Sequence, residues 1–324
     1  MSKIIFLFIL LPLFGKAHPG IGIVKDSKGN IYYTDLKQVW KITNGKQIII
    51  VPNVHTHELF IDNKDHLYGE DGYYDEKEEK FYHYLWVYKP MGQLDTVKGM
   101  SENYVYPDFS LAKDKKGNEY YLKRFLRPHK DTNHIYKKSP AGKETVFATG
   151  NFKNVNWLHP QDDGSLLFAS HNSIYKADSQ GNLNLIIEQV AHQNPSYKFS
   201  GNNITIWGLW QDPGKNIYAA VFSDQTVRRI DKDGNISNVY TSTGNWTPLH
   251  GVFDNDHNLW VLEGSDKNEV RVTLVDGAHI LPGNANKSNS NKMNFLFICC
   301  IAAGIVIFYF KSGNFFKSSN RPSL

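Results

Sequence analysis

Asp26-Ser-Lys-Gly-Asn-Ile-Tyr32, Asp114-Lys-Lys-Gly-Asn-Glu-Tyr120 and Asp212-Pro-Gly-Lys-Asn-Ile-Tyr218 are three copies of one pattern: an aspartate, a short polar turn, an asparagine, then a strand carrying an aromatic side chain. Looser copies stand at Asp62-Asn-Lys-Asp-His-Leu-Tyr68, Asp162-Asp-Gly-Ser-Leu166 and Asp254-Asn-Asp-His-Asn-Leu-Trp260. The copies begin at 26, 62, 114, 162, 212 and 254, so successive copies lie 36 to 52 residues apart. Repeats of this length built from short strands predict a radial all-β architecture, because one unit cannot bury its apolar faces alone. Asp and Asn bond their own backbone in such turns and Gly reaches positive φ, so each copy reads as a tight link between two strands.

Working outward from the copy at 212, the chain resolves into four strands at 204–210, 217–221, 226–230 and 235–240. A second hairpin recurs as Val39-Trp-Lys-Ile-Thr-Asn-Gly-Lys46, Leu85-Trp-Val-Tyr-Lys-Pro-Met-Gly92, Ile135-Tyr-Lys-Lys-Ser-Pro-Ala-Gly142 and Ile174-Tyr-Lys-Ala-Asp-Ser-Gln-Gly181. The sixth unit ends in a weak fourth strand at 278–281. Six units of four strands predict a six-bladed β-propeller with four-stranded blades over residues 18–281.

The ends differ from the body. Residues 1–17 hold Lys3, an apolar run from Ile4 to Phe14 and Gly15-Lys16-Ala17, which reads as a secretory signal peptide. Residues 282–292 are a polar linker, and 293–310 form an apolar stretch without charge, long enough for one transmembrane helix. Lys311, Lys317 and Arg321 follow it in a short tail at 311–324, which the positive-inside rule assigns to the cytoplasm. The expectation is a single-pass membrane protein with its propeller outside the cytoplasm, periplasmic or at the cell surface. Both cysteines, Cys299 and Cys300, fall within the apolar stretch, so the body relies on its core rather than on disulfides. Net charge is +4 with the charges interspersed, and no basic stripe points to nucleic acid.

In a propeller the turns after strands one and three share one face. The loops joining strands two and three, and those joining blades, share the other. Here the first set is short. The second is long and irregular, at 70–83, 124–133 and 189–203. Variable loops on a rigid scaffold are where binding resides. The looped face therefore carries the expected ligand anchors Trp157, Trp207, Trp246, Tyr104 and Tyr197. The run Glu70–Lys80 reads as an acidic, Tyr-bearing loop, either a cover for partners or a solvated insertion. At the starts of the innermost strands stand His57, Glu58, Asp108, Asn156 and His250. Glu58, Asp108 and Asn156 would suit Ca²⁺, and His57, Glu58 and His250 would suit Zn²⁺. Alternation sends His55 and His57 one way and Glu58 the other.

Over residues 18–281 the chain resembles the NHL-repeat and gluconolactonase-like (senescence-marker-protein-like) propellers, on the strength of the recurring Asp-x-x-Gly-Asn turns and four-strand units. That resemblance implies a six-bladed fold and, for the lactonase branch, one divalent metal in the central channel. The Glu-Gly-Pro that usually opens the first blade in that branch is replaced here by His18-Pro19-Gly20. Some propeller lyases pair a His with a Glu as base and acid. His250 with Glu263, or His57 with Glu58, would supply such a pair, whereas the residue pattern places Glu263 at a solvated strand end. The overall expectation is a membrane-anchored propeller that binds a small molecule or protein partner on its looped face. The alternative is a metal-dependent lactonase or esterase.

Overall fold

The computed structural model describes residues 22–275 apart from 76, 79, 102–109, 123–133, 153–154, 193–204 and 268. The expected signal peptide, linker, transmembrane helix and tail lie outside the described residues, as do Tyr104, Asp108, Tyr197 and the strand at 278–281. Among the described residues no helix is long and apolar enough to cross a membrane.

Six antiparallel sheets follow one another along the chain. Blade 1 is β1 (Ile23–Lys25), β2 (Ile31–Thr34), β3 (Gln38–Thr43) and β4 (Lys46–Pro52). Blade 2 is β5 (Leu59–Ile61), β6 (Leu67–Asp75), β7 (Lys80–Tyr88) and β8 (Leu94–Ser101). Blade 3 holds β9 (Glu119–Tyr121), β10 (His134–Lys138) and β11 (Glu144–Thr149). Its innermost segment joins β9 through the Lys113–Glu119 bridge and a Tyr120 N–H to Ala112 carbonyl bond of 2.9 Å. Blade 4 is β12 (Val155–Pro160), β13 (Leu166–Ser170), β14 (Ser173–Ala177) and β15 (Leu183–Ile187). Blade 5 is β16 (Ile206–Gln211), β17 (Ile217–Val221), β18 (Thr226–Ile230) and β19 (Ile236–Thr241). Blade 6 shows β20 (Trp246–Phe253), β21 (Leu259–Ser265) and β22 (Val270–Val275). The fold is a six-bladed propeller of four-stranded blades.

The repeat works through its aspartate. Asp26 accepts from the backbone N–H groups of Lys28 and Asn30 at 3.0 and 2.8 Å, from Asn30 Nδ2 at 2.6 Å and from the Tyr32 hydroxyl at 2.9 Å. One carboxylate thus closes the turn and fastens the strand beyond it. Asp114 does the same with Lys116, Asn118 and Tyr120, and Asp254 with Asp256, Asn258 and the Trp260 indole. In blade 2 the imidazole of His66 stands where Asn stands elsewhere, 3.1 Å from Asp62. Burial, then the aspartate, pushes the hydroxyls of Tyr120 and Tyr218 well above their usual pKa; for Tyr32 the order of causes is the same. The fourth copy starts one residue earlier than the sequence pattern suggests. Gln161 takes the aspartate's place, bonding the Ser165 hydroxyl at 2.7 Å, and Gly164 at φ 81° closes the turn. Asp162 instead pairs with Lys115.

Between neighbouring blades lies a core. Leu167, Ile174, Leu209 and Ala219 fill the seam between blades 4 and 5, and Tyr120, Ile135, Phe168 and Val155 that between blades 3 and 4. The ring closes where Ile23, Ile31 and Tyr33 of blade 1 meet Leu262 of blade 6. Because each sheet packs on both faces, its second strand reads as a continuous apolar run: β13 (LLFAS) and β17 (IYAAV) are buried at every position.

Two expectations are corrected. The stretch 70–83 is not an irregular loop. β6 and β7 pair without a break from Leu67↔Tyr88 to Asp75↔Lys80, making a hairpin that runs beyond the length of the other blades' second strands. About four extra residues per strand add roughly 14 Å at ~3.4 Å per residue. The charge density of Glu70-Asp-Gly-Tyr-Tyr-Asp75 reads as a loop, and the cross-strand pairing makes it a ribbon instead. Glu263 is not a solvated strand end either. It is fully buried, receives Arg271 Nε and Nη2 at 2.7 and 3.1 Å and Thr273 Oγ1 at 2.6 Å, and Arg271 in turn lies over the Trp246 ring at 4.3 Å. Its charge is tolerated because a bidentate cation and a hydroxyl replace water.

Candidate functional site

The innermost strand of each sheet is an edge, so six backbone edges and their flanking side chains surround the axis. They enclose a cavity of about 890 Å³ with walls from every blade, including Lys25, Glu58, Lys113, Trp157, Trp210 and His250. Its lining runs from Glu58, just before β5, down to Lys115, Asp162 and Lys215 in the tight turns.

The densest chemistry is the cluster around His250. The Trp157 ring tilts over the imidazole at 4.4 Å between centroids and 43°, and Trp210 meets it edge-on at 5.3 Å and 67°. Backbone proximity makes this possible. A Cβ on Gly208 would stand 2.3 Å from the Leu249 carbonyl oxygen and 2.7 Å from His250 Cδ2. A Cβ on Gly251 would stand 2.4 Å from Trp210 Cζ2. Both glycines permit β16 and β20 to approach closely, and Trp210 lies across the space that Gly251 leaves open.

Neither nitrogen of His250 has a hydrogen-bond partner among the described residues, and the same holds for the indole N–H groups of Trp157 and Trp210. Burial drives the His250 pKa down to about 3, His159 adds repulsion, and the Leu209 and Ile23 carbonyls oppose the shift without reaching hydrogen-bond geometry. His159, on β12 two residues after Trp157, falls to about 4 through burial first and the charge of Lys215 second, with Asp162 opposing. Its surface is partly open to water, and it lines the cavity. Both imidazoles are neutral at pH 7. Each can accept a proton or a hydrogen bond, and Glu58 lines the same cavity.

Of the residues expected around a metal, Glu58 and His250 reach this cavity. His57 lies against His55 at 4.6 Å, with its Nδ1 3.3 Å from Glu70 Oε1, and is not among the residues that line the cavity. Asn156 belongs to β12 and Asp108 lies outside the described residues. No group of three or more His, Cys, Asp or Glu among the described residues is placed to hold a metal ion. Of the expected anchors, Trp157 lines the cavity. Trp207 tilts against Phe222 at 5.2 Å. Trp246 is half-buried under Arg271, with its carbonyl accepting from Gln225 at 2.8 Å. His159 and Trp210 were missed. Their signal was positional, on the same innermost strands as Trp157 and Trp207.

No protein-family model matches the chain, and no curated protein matches it. Solved structures do. A gluconolactonase from Xanthomonas campestris is 15% identical, with a TM-score of 0.51 over 78% of this chain and 85% of that one. A streptogramin B lyase is 13% identical, with a TM-score of 0.51 over 78% and 93%. An auxiliary nutrient binding protein from Bacteroides ovatus is 14% identical, with a TM-score of 0.51 over 78% and 68%. At such identities the likeness establishes the fold alone. The chain is a six-bladed propeller whose structural neighbours include gluconolactonase-like and streptogramin lyase proteins.

Proposed function

We propose that this protein is a binding propeller that takes a small organic molecule into its central cavity, with the body held at a membrane outside the cytoplasm. The observation that carries the reading is the aromatic cluster of Trp157, His250 and Trp210 on a cavity of about 890 Å³, a size suited to a small-molecule site. Aromatic walls supply contact area at low entropic cost, and the three side chains hold polar atoms in want of partners. Nutrient binding by a neighbour of the same fold is consistent with it. The apolar stretches at 4–14 and 293–310 support export and anchoring.

The test of binding is thermal-shift and equilibrium-dialysis screening of the full chain in detergent against small-molecule libraries. Hits must be lost on Trp157→Ala. Fractionation and protease protection of intact cells test the placement, and a propeller shielded with the cytoplasm would refute it.

A second reading is an enzyme, either the lactonase or esterase of the resemblance or a lyase. Two neutral imidazoles and Glu58 in one cavity favour it, since a neutral histidine can act as a general base. Turnover of a lactone or ester panel, with and without chelator, that is abolished by Glu58→Gln or His250→Ala would establish this reading over the first.

A further inference from the structure

The lysines of the cavity sit at one end of it. Lys25 closes β1, Lys113 bridges to β9, and Lys115 and Lys215 stand in the tight turns of blades 3 and 5. Glu58 lies toward the other end, ahead of β5. Three of these lysines are engaged: Lys25 with Asn255 at 2.9 Å, Lys113 with Glu119 at 3.1 Å and Lys115 with Asp162 at 2.5 Å. Lys215 has no hydrogen bond or ion pair through its ammonium among the described residues. The carboxylate nearest in sequence, Asp212, is spent on Asn216 and Tyr218.

Lys215 also occupies an uncomfortable backbone position. Its φ is 68°, at the turn site that Gly29, Gly117 and Gly164 hold in blades 1, 3 and 4 and that Asp65 and His257 hold, also at positive φ, in blades 2 and 6. A side chain there costs ~1 kcal/mol relative to glycine, so glycine is a compatible replacement at this position. The cavity that holds Lys215 and the aromatic cluster is also lined by the apolar Leu158, Pro160, Val252 and Phe253.

We infer that the ligand is an organic acid: an apolar body against Trp157 and Trp210, with its carboxylate at the tight-turn mouth on Lys215. This rests on the cavity being the ligand site. Glu58 at the far end repels the reversed orientation, so the charge layout also sets the direction in which the molecule lies. The charge of Lys215 already reaches into the cavity, where it helps to hold His159 neutral.

The test uses a matched pair of probes, naphthalene-2-carboxylate and naphthalene-2-carboxamide, titrated against the full chain in detergent and read by quenching of tryptophan fluorescence. The acid should bind at least tenfold more tightly than the amide. Lys215→Gly restores the glycine that suits this turn in other blades, so it should fold. It should weaken the acid threefold to tenfold and leave the amide unchanged. Lys46→Ala, which removes an exposed charge at the rim, should change neither. Equal affinity for acid and amide, or equal losses in Lys215→Gly and Lys46→Ala, would overturn the organic-acid assignment while leaving the cavity as a binding site. Failure of both probes to bind would count against the cavity reading itself.

Discussion

Replacing Asp212 with alanine removes three hydrogen bonds at one stroke: Asn216 N–H at 2.8 Å, Asn216 Nδ2 at 2.7 Å and the Tyr218 hydroxyl at 3.2 Å. Tyr218 is wholly buried and Asn216 is 9% exposed, so water cannot replace the carboxylate for the stranded donors. A bond to a charged acceptor contributes ~1.5–3 kcal/mol, and a stranded buried polar group costs ~1–3 kcal/mol. The three share one acceptor and do not add, so the expected loss is about 3–4 kcal/mol. At ~2 °C per kcal/mol for a domain of this size, Tm falls by about 6–8 °C. Asp178→Ala is the control. It removes the equivalent bonds from Asn182 N–H and Nδ2 and one more from the Gln180 N–H, but in an outer turn open to solvent and with no tyrosine fastened. Its Tm shift should be less than half as large. In a Tyr218→Phe background, where no hydroxyl needs an acceptor, Asp212→Ala should be milder by about 1 kcal/mol. Scanning calorimetry on the four inner-turn species and the control decides it. Equal shifts for the inner and outer aspartates, or a fully additive cycle, would refute the claim that the aspartate pins the second strand.

Glu263→Gln keeps shape but turns an amide N–H toward Arg271. Because the arginine side chain is 28% exposed, the loss should be about 2 kcal/mol, below the ~3–5 kcal/mol of a sealed pair, as a lower urea midpoint would show. Gly251→Ala forces Trp210 to move and should cost ~1–3 kcal/mol; altered indole fluorescence and weaker ligand binding are the readouts, and an unchanged spectrum would contradict the packing. Acid should destabilise the fold through His159 and His250. Their folded pKa values, about 4 and about 3, lie below the unfolded value of 6.5. The unfolded chain therefore takes up protons first, and stability drops as pH falls from about 6.5 toward 4. Discounted for water in the channel, the effect is up to about 2 kcal/mol per histidine. His250→Asn should flatten the curve of urea midpoint against pH between 7 and 5.

The blade count was legible because the Asp-to-aromatic hydrogen bond is local: Asp26 and Tyr32 meet within one turn, and so their spacing survives in the sequence. Strand positions in blade 5 were readable for the same reason. The copy at Gln161 was read one residue late because the amide mimics the carboxylate while Asp162 beside it imitates the motif. Charge density at 70–80 suggested a loop, although cross-strand pairing, which no local pattern reports, makes it a ribbon. Glu263 looked solvated because its cation stands on the next strand. The cavity was the least legible feature. His250 was visible as a residue, but its contacts with Trp157 and Trp210 join three blades separated by long stretches of chain.

The seam where Tyr33 meets Leu262 has a bearing on how this chain comes to be made. At ~5–20 residues per second the two partners leave the ribosome roughly 10–50 s apart, and through that interval the first sheet offers an uncovered greasy flank. Early sheets can form on their own hydrogen bonds, but the circle cannot be joined until synthesis is nearly over, which makes assembly slow and dependent on distant contacts. Products that stop short of Leu262 should therefore clump rather than retain partial capacity, and a binding pocket should emerge all at once with the last sheet.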